Sequence, residues 1–273
     1  MSPSFFRAEP PRADVSAEGL ARALEANVLD RIERLGRAPA AELRDDGDLL
    51  RYATGLPLPL LNGALRARLA EDGAGRRVAE ALAWFRERRL PMTWFVGPSS
   101  QPAGLGEHLA ANGLVRGGPP GMAVDLHALN DALPHPAGLE VVPVEDEQGL
   151  RQWIRVIVAS FRLPPEVELP LAALYGSLGL GWPARLYLGL WNGQPVATSK
   201  LLLSSGVAGI YWVGTLPEAR GRGIGTAITL APLREARAQG YRIGILEAFP
   251  LGINVYRRIG FRECGKIDRY AAP

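Results

Sequence analysis

The stretch from Ile210 to Thr226, IYWVGTLPEARGRGIGT, constrains the fold more than any other part of the chain. It reads as a strand, a proline-containing turn, a glycine-rich loop and the first turn of a helix. Glycine lets a loop take positive φ and lets a ligand come close to the backbone. The first N–H groups of a helix have no internal partner, and the helix dipole adds partial positive charge there. Such a loop is an anion site suited to a pyrophosphate, with Arg220 and Arg222 able to add charge.

Two common phosphate motifs do not fit. A P-loop needs a lysine directly after its last glycine, and no lysine follows these. The dinucleotide fingerprint needs a third glycine where Thr226 stands. A nucleotide site is therefore disfavoured by spacing, and the alternative to an anion site is a glycine-rich surface loop in an arginine- and glycine-rich chain.

The rest of the chain supplies a setting. At 273 residues, two domains are expected. Leu20, Leu24, Val28, Ile32 and Leu35 mark a helix over 16–36, with Ser16 as its N-cap. A helix over 76–88, a strand over 92–96 and a helix over 103–111 follow, then an extended segment to about Leu126. Leu133-Pro134-His135-Pro136-Ala137-Gly138 reads as a linker and divides the chain into 1–133 and 134–273. Beyond it come a strand over 139–144 and helices over 146–160 and 166–178. Strands over 185–191 and 196–203 are joined by the hairpin signal Asn192-Gly193, and 207–213 continues the meander. A helix over 223–238, a strand over 242–247, a short helix over 251–258 and a strand from Phe261 complete the chain. The helix–strand–helix order of 76–111 recurs in 223–258, so the sequence is expected to hold two copies of one fold.

Arg220-x-x-Gly223-x-Gly225 resembles the acyl-CoA loop of the GNAT superfamily, Q/R-x-x-G-x-G/A after a bulged strand. Val213-Gly214-Thr215-Leu216-Pro217-Glu218 is similar to the family's lead-in. Leu246-Glu247-Ala248 with Tyr256-Arg257-Arg258-Ile259-Gly260-Phe261 resembles its second motif, a strand followed by Y-x-x-x-G-F. The resemblance covers roughly 139–273 and implies an α/β (α+β) fold, a mixed, mostly antiparallel sheet flanked by helices. It also implies a V-shaped split between two central strands, acetyl-CoA as acetyl donor, and a primary amine as acceptor. Val213, Gly214 and Thr215 would offer backbone groups to the pantetheine arm and thioester. Arg220, Gly221, Arg222, Gly223, Ile224, Gly225 and Thr226 would hold the pyrophosphate, and Tyr256 would protonate the leaving thiolate. Direct attack by a neutral amine needs a positioned carbonyl, donors for the developing oxyanion and an acid, but no metal.

The family's asparagine seven residues before the tyrosine is replaced by Phe249. Glu247 is the first candidate for general base, a buried or hydrogen-bonded carboxylate being its alternative, and Glu218 is the second, with capping or solvent exposure as its alternative. In the first copy Leu109 stands at the acid position, and Glu71-Asp72-Gly73-Ala74-Gly75 is acidic. Residues 1–133 are thus expected to be a degenerate GNAT-like domain that is structural or shapes the acceptor cleft. A non-catalytic acyl-CoA-binding module is the alternative function. His108, His127 and His135 give no metal spacing, and Trp182 is a candidate for the acceptor site. The net charge of +3 is scattered, so no nucleic-acid partner is expected. The lone Cys264, and the lack of a signal-like or membrane-length apolar run, lead to the expectation of a cytoplasmic, bacterial protein with no membrane partner. The acceptor's identity and the oligomeric state stay open.

Overall fold

The computed structural model describes residues 11, 12, 14–181 and 183–272. Two compact units emerge, and each is built from two pieces of chain. Unit 1 runs to Asn27 and resumes over Gly121–Gly265; unit 2 comprises Val28–Pro120 and the chain from Lys266. The stretch 133–138 lies inside unit 1.

Helix α1 (Ala17–Gly36) is capped by Ser16, whose Oγ accepts the Gly19 N–H at 3.1 Å. Leu24, Val28, Ile32 and Leu35 form its buried stripe. Strands β1 (Glu42–Asp45), β2 (Leu50–Ala53) and β3 (Asn62–Leu65) form an antiparallel meander. Helix α2 (Ala74–Glu87) then crosses to β4 (Thr93–Val96), which pairs parallel with β3. Helix α3 (Leu105–Ala111), β5 (Val115–Gly117) and β6 (Pro120–Asp125) complete the first half.

The second half repeats the plan. Strand β7 (Leu139–Pro143), helices α4 (Glu147–Phe161) and α5 (Glu168–Ser177), and strands β8 (Ala184–Trp191), β9 (Gln194–Ser204) and β10 (Val207–Thr215) come first. Helix α6 (Ile224–Ala238) crosses to β11 (Ile243–Glu247), parallel to β10. Helix α7 (Ile253–Ile259), β12 (Arg262–Lys266) and β13 (Asp268–Ala271) end the described chain. Asn192 and Gly193 both take positive φ, the primed turn expected between β8 and β9.

Strand order is β1-β2-β3-β4-β13-β5 in one sheet and β12-β6-β11-β10-β9-β8-β7 in the other. Each sheet therefore takes an internal strand from the opposite half of the sequence. The single strand expected from Phe261 divides at Ile267 into β12 and β13, which enter different sheets. The extended segment expected to reach Leu126 divides likewise, at Gly118, whose φ of +104° turns the chain between β5 and β6. The meander β1–β3 has no counterpart among the elements expected from sequence. Its strands are four residues long and include the buried Arg51, which pairs with Asp46, so apolar alternation is lost.

Inside unit 1, α6 carries Pro232 in its interior. Proline has no N–H, so the carbonyl of Ile228 four residues earlier loses its helical donor. The Ser199 hydroxyl on β9 donates to that carbonyl instead, at 2.8 Å. Both partners are buried, and strand and helix are thereby fixed in register. Ser199→Ala should lower unit 1 stability by about 1–3 kcal/mol, the cost of an orphaned buried carbonyl. Adding Pro232→Ala should return most of that loss by restoring the helical donor. Urea unfolding of both variants, with recovery absent from the double variant as the adverse result, checks the assignment.

Candidate functional site

Strands β10 and β11 pair at Ala208↔Gly244, Gly209↔Ile245 and Ile210↔Leu246, and there the pairing stops. On its other side β10 continues along β9 to Thr215↔Ala197. Beyond Ile210 the described residues of β10 form no further pair with β11, which is the split implied by the resemblance. The cause is local. Tyr211 pairs with Lys200 and Gly214 with Thr198, so β10 spends one extra residue between them. Trp212 sits within this bulge at φ +51°, a left-handed conformation unusual for a bulky residue.

Val213, Gly214 and Thr215 follow directly. A Cβ on Gly214 would lie 2.4 Å from Ser160 Oγ and 3.1 Å from the Phe161 ring, so only glycine fits beneath the end of α4. Arg220 bonds two backbone carbonyls, Thr215 O at 3.0 Å from Nε and Ser160 O at 3.2 Å from Nη2. It ties the glycine-rich loop to the bulged strand and to α4. The Arg222 guanidinium stacks on Trp191, 4.6 Å from the ring centroid.

Gly221 and Gly223 have φ of +75° and +82°, and Gly223 is the N-cap of α6 without a side-chain capping bond. Among the described residues, no backbone N–H from Gly221 to Gly225 donates to a backbone carbonyl. The next two, on Thr226 and Ala227, turn back to Gly223 O. Three α6 residues lie at this end: Ile224 and Thr226 are buried, while Gly225 has Thr215 Oγ1 3.7 Å from its Cβ position. Pro136 stands 3.5 Å from the Gly223 Cβ position, so the proline-rich stretch packs beside the loop. The loop thus presents unpaired donors at the positive end of a fifteen-residue helix.

Tyr256 lies on α7 with its ring buried against Gly252 and edge-on to Phe261. Burial pushes its phenol up to about 12. Among the described residues nothing hydrogen-bonds the hydroxyl, which stays protonated at neutral pH and can give its proton to an incoming group. Glu247 is the last residue of β11, one step past the final pair with β10, and is half-buried. Glu218 is exposed in a 3-10 turn. Phe249 and Leu251 are exposed on the loop from β11 to α7. Trp182 lies outside the described residues. His135 bonds Leu139 O at 2.8 Å, and the His127 N–H donates to Asp125. Among the described residues no group of three or more His, Cys, Asp or Glu is placed to hold a metal ion. No described helix is long and apolar enough to cross a membrane.

Tyr175, Thr198, Ser160, Phe161 and Trp191 all touch this machinery and were not singled out by the motifs. Only the pairing register and tertiary packing bring them in.

Unit 2 repeats the backbone of the site with different chemistry. Its parallel pair ends at Ala64↔Trp94, and two residues on Arg66 has φ +55°, as Trp212 does after Ile210. Gly73, at φ +100°, caps α2 as Gly223 caps α6. Helices α3 and α7 end in the same way, with Gly113 and Gly260 left-handed and the next N–H bonding back to Leu109 O and Tyr256 O. Leu109 therefore occupies the place of Tyr256. Beyond β3 and β4 the chain closes again, through a parallel bridge at Arg68↔Gln101. Gln101 N–H bonds Ala67 O at 2.9 Å and Leu69 N–H bonds Gln101 O at 3.1 Å.

The fold so described is similar to that of solved GNAT proteins, one of them a tandem GNAT protein. Residues 204–264 match the family described as Acetyltransferase (GNAT) domain. A mycothiol acetyltransferase of Streptomyces avermitilis is 30% identical over 128 residues, 44% of this chain. The match spans 41% of that relative's length. Among solved structures, a GCN5-related N-acetyltransferase from Kribbella flavida superposes with a TM-score of 0.67 at 18% identity, covering 96% of this chain and 97% of that one. A tandem GNAT protein from the clavulanic acid biosynthesis pathway gives 0.58 at 20% identity, covering 97% of each.

The Tyr256 phenol titrates at about 12 when folded, against about 10 in an unfolded chain. Between those values the unfolded state has released a proton that the native state keeps, so stability falls as pH rises through this window. Tyr256→Phe should remove one proton from the steepness of that alkaline loss. Urea midpoints measured from pH 9 to 11.5 test it, and parallel curves for variant and parent would contradict it.

Proposed function

We propose that the protein transfers an acetyl group from acetyl-CoA to a primary amine by direct attack. One observation carries the reading: the β10–β11 pairing opens after Ile210 and Leu246, beside unpaired N–H groups on the loop that opens α6. A split of this kind admits an extended arm between two strands, and the loop suits the diphosphate at its far end. Acetyltransferase names among the relatives support the same chemistry.

The geometry supports the following roles. Backbone groups of Val213, Gly214 and Thr215 hold the pantetheine arm and polarise the thioester carbonyl. The Arg220–Thr226 loop takes the pyrophosphate, mainly through N–H groups, because Arg220 is already engaged with Thr215 O and Ser160 O. The amine nitrogen attacks the carbonyl carbon and loses a proton to Glu247. The carbon–sulfur bond then breaks, and the thiolate takes the Tyr256 proton. Tyr256 suits that step because burial keeps it protonated until a strong base forms beside it.

The segment 134–273 carries these residues, and the first copy takes no acyl-CoA. Leu109 supplies no acid there, Glu71 and Asp72 stand where Gly221 and Arg222 precede the second helix, and the Arg68↔Gln101 bridge fills the way in. The non-catalytic alternative shares the binding site and differs only in turnover. Calorimetric titration should give micromolar binding of acetyl-CoA and of CoA, and none of NADH. Tyr256→Phe should bind acetyl-CoA as the parent does and turn over about 10²–10⁴-fold more slowly with any amine that is accepted. No binding of acetyl-CoA by the parent would refute the proposal. Equal turnover in the variant would remove Tyr256 from the mechanism.

A further inference from the structure

Trp212 is the residue on which the split depends, and it is held in an unfavourable conformation. A bulky L-residue in the left-handed region costs about 1–3 kcal/mol and persists only where its surroundings fix it. The surroundings here are specific. The Thr198 hydroxyl donates to Trp212 O at 2.9 Å, replacing a ladder bond that the bulge removes. The Trp212 indole N–H donates to the Tyr175 hydroxyl, and the Phe161 ring meets the indole edge-on at 5.4 Å.

Tyr175 is itself immobilised. It is buried on α5, with the Trp153 ring 5.2 Å away and the Lys200 ammonium 5.1 Å from its ring centre. Trp153 is fixed in turn by its N–H bond to Ser199 O at 3.1 Å. The residue before Trp212 is also tied, since the Tyr211 hydroxyl donates to the buried Asn27. A rigid strand and a rigid helix thus grip the strained residue from two sides, through its carbonyl and its indole. In unit 2 the equivalent Arg66 has no such clamp and instead forms surface ion pairs with Asp30 and Glu33.

We infer that Tyr175 and Thr198 are positioning residues, holding Trp212 left-handed so that the backbone of Val213–Thr215 faces the acyl-thioester end of the cofactor. This rests on the reading given under Proposed function. Loosening the clamp lets β10 relax toward a regular strand, which withdraws the contacts to the pantetheine and acyl group. The pyrophosphate loop begins five residues later and is anchored separately by Arg220 and the α6 N-terminus.

The test compares two probes, acetyl-CoA and 3′-phospho-ADP, the half of coenzyme A that lacks pantetheine. Tyr175→Phe should weaken acetyl-CoA about tenfold, the size of one lost buried hydrogen bond, and leave 3′-phospho-ADP unchanged. Thr198→Val should do the same, so the inference does not hang on one variant folding. Tyr175→Phe combined with Trp212→Phe should be no worse than Trp212→Phe alone, because the bond the two residues share is already lost. Amide hydrogen exchange should quicken at Val213–Thr215 in each variant and stay unchanged across Gly223–Thr226. Equal weakening of both probes, or parent-like acetyl-CoA affinity with parent-like exchange, overturns the positioning role. A parent protein that binds 3′-phospho-ADP and acetyl-CoA with the same affinity also overturns it. A parent that binds neither refutes the proposed function itself, and this role with it.

Discussion

The parallel pairing of β10 and β11 ends after three residue pairs, and the rest of the site depends on that early end. A strand in a central position normally spends all its N–H and C=O groups on its neighbours. Here one extra residue at Trp212 turns β10 away from β11 while leaving its ladder with β9 intact on either side. The unpaired backbone that results is a cost unless something else satisfies it. A ligand with a carbonyl and amides along an extended arm can do so without disturbing the fold. Glu247 ends β11 one step past the final pair with β10.

Unit 2 carries the same backbone features under different chemistry. It keeps the left-handed residue after the parallel pair, the left-handed glycine at the helix start and the left-handed glycine at the end of the short helix. These are the features set by chain geometry, and they survive at Arg66, Gly73 and Gly113. What differs is the chemistry laid over them: two carboxylates at the loop, a leucine in place of the phenol, and a second bridge that satisfies the opened backbone internally. The contrast identifies the open edge, rather than the left-handed residue itself, as a property that separates the two copies.

Much of this was legible in the sequence because it is written locally. Gly221, Gly223 and Gly225 announce a loop that needs positive φ and close approach, and Asn192-Gly193 announces a primed turn. The spacing of Tyr256 to Gly260 and Phe261 encodes a helix cap, since Phe261 N–H bonds back to Tyr256 O. The exchanged strands were not legible. Nothing local distinguishes Asp268–Ala271 from a continuation of β12, and its pairing with β4 and β5 is decided by contacts more than 150 residues away in sequence, such as Tyr270 opposite Arg116. The first meander was hidden for a different reason, because ion pairs such as Arg51 with Asp46 replace apolar residues in its short strands. Tyr175 and Thr198 carry no motif, and only the register of β9 against the bulge gives them a role.

The arginines show how function and architecture share one residue type. Arg220 and Arg222 look in sequence like two charges aimed at phosphate. In the fold Arg220 spends Nε and one Nη on carbonyls of the strand end and of α4, and Arg222 lies over the Trp191 ring. A guanidinium can do this and still add its full charge to the loop, because it has five donors and does not deprotonate. The backbone N–H groups from Gly221 to Gly225 have no such second task. They are fixed by two left-handed glycines and by the helix behind them, so their orientation costs nothing further when an anion arrives. On the proposed reading, the glycines would set where a diphosphate sits and the arginines how strongly the region draws it. The acidic loop of unit 2 fits the same division: Gly73 keeps the geometry, while Glu71 and Asp72 reverse the attraction.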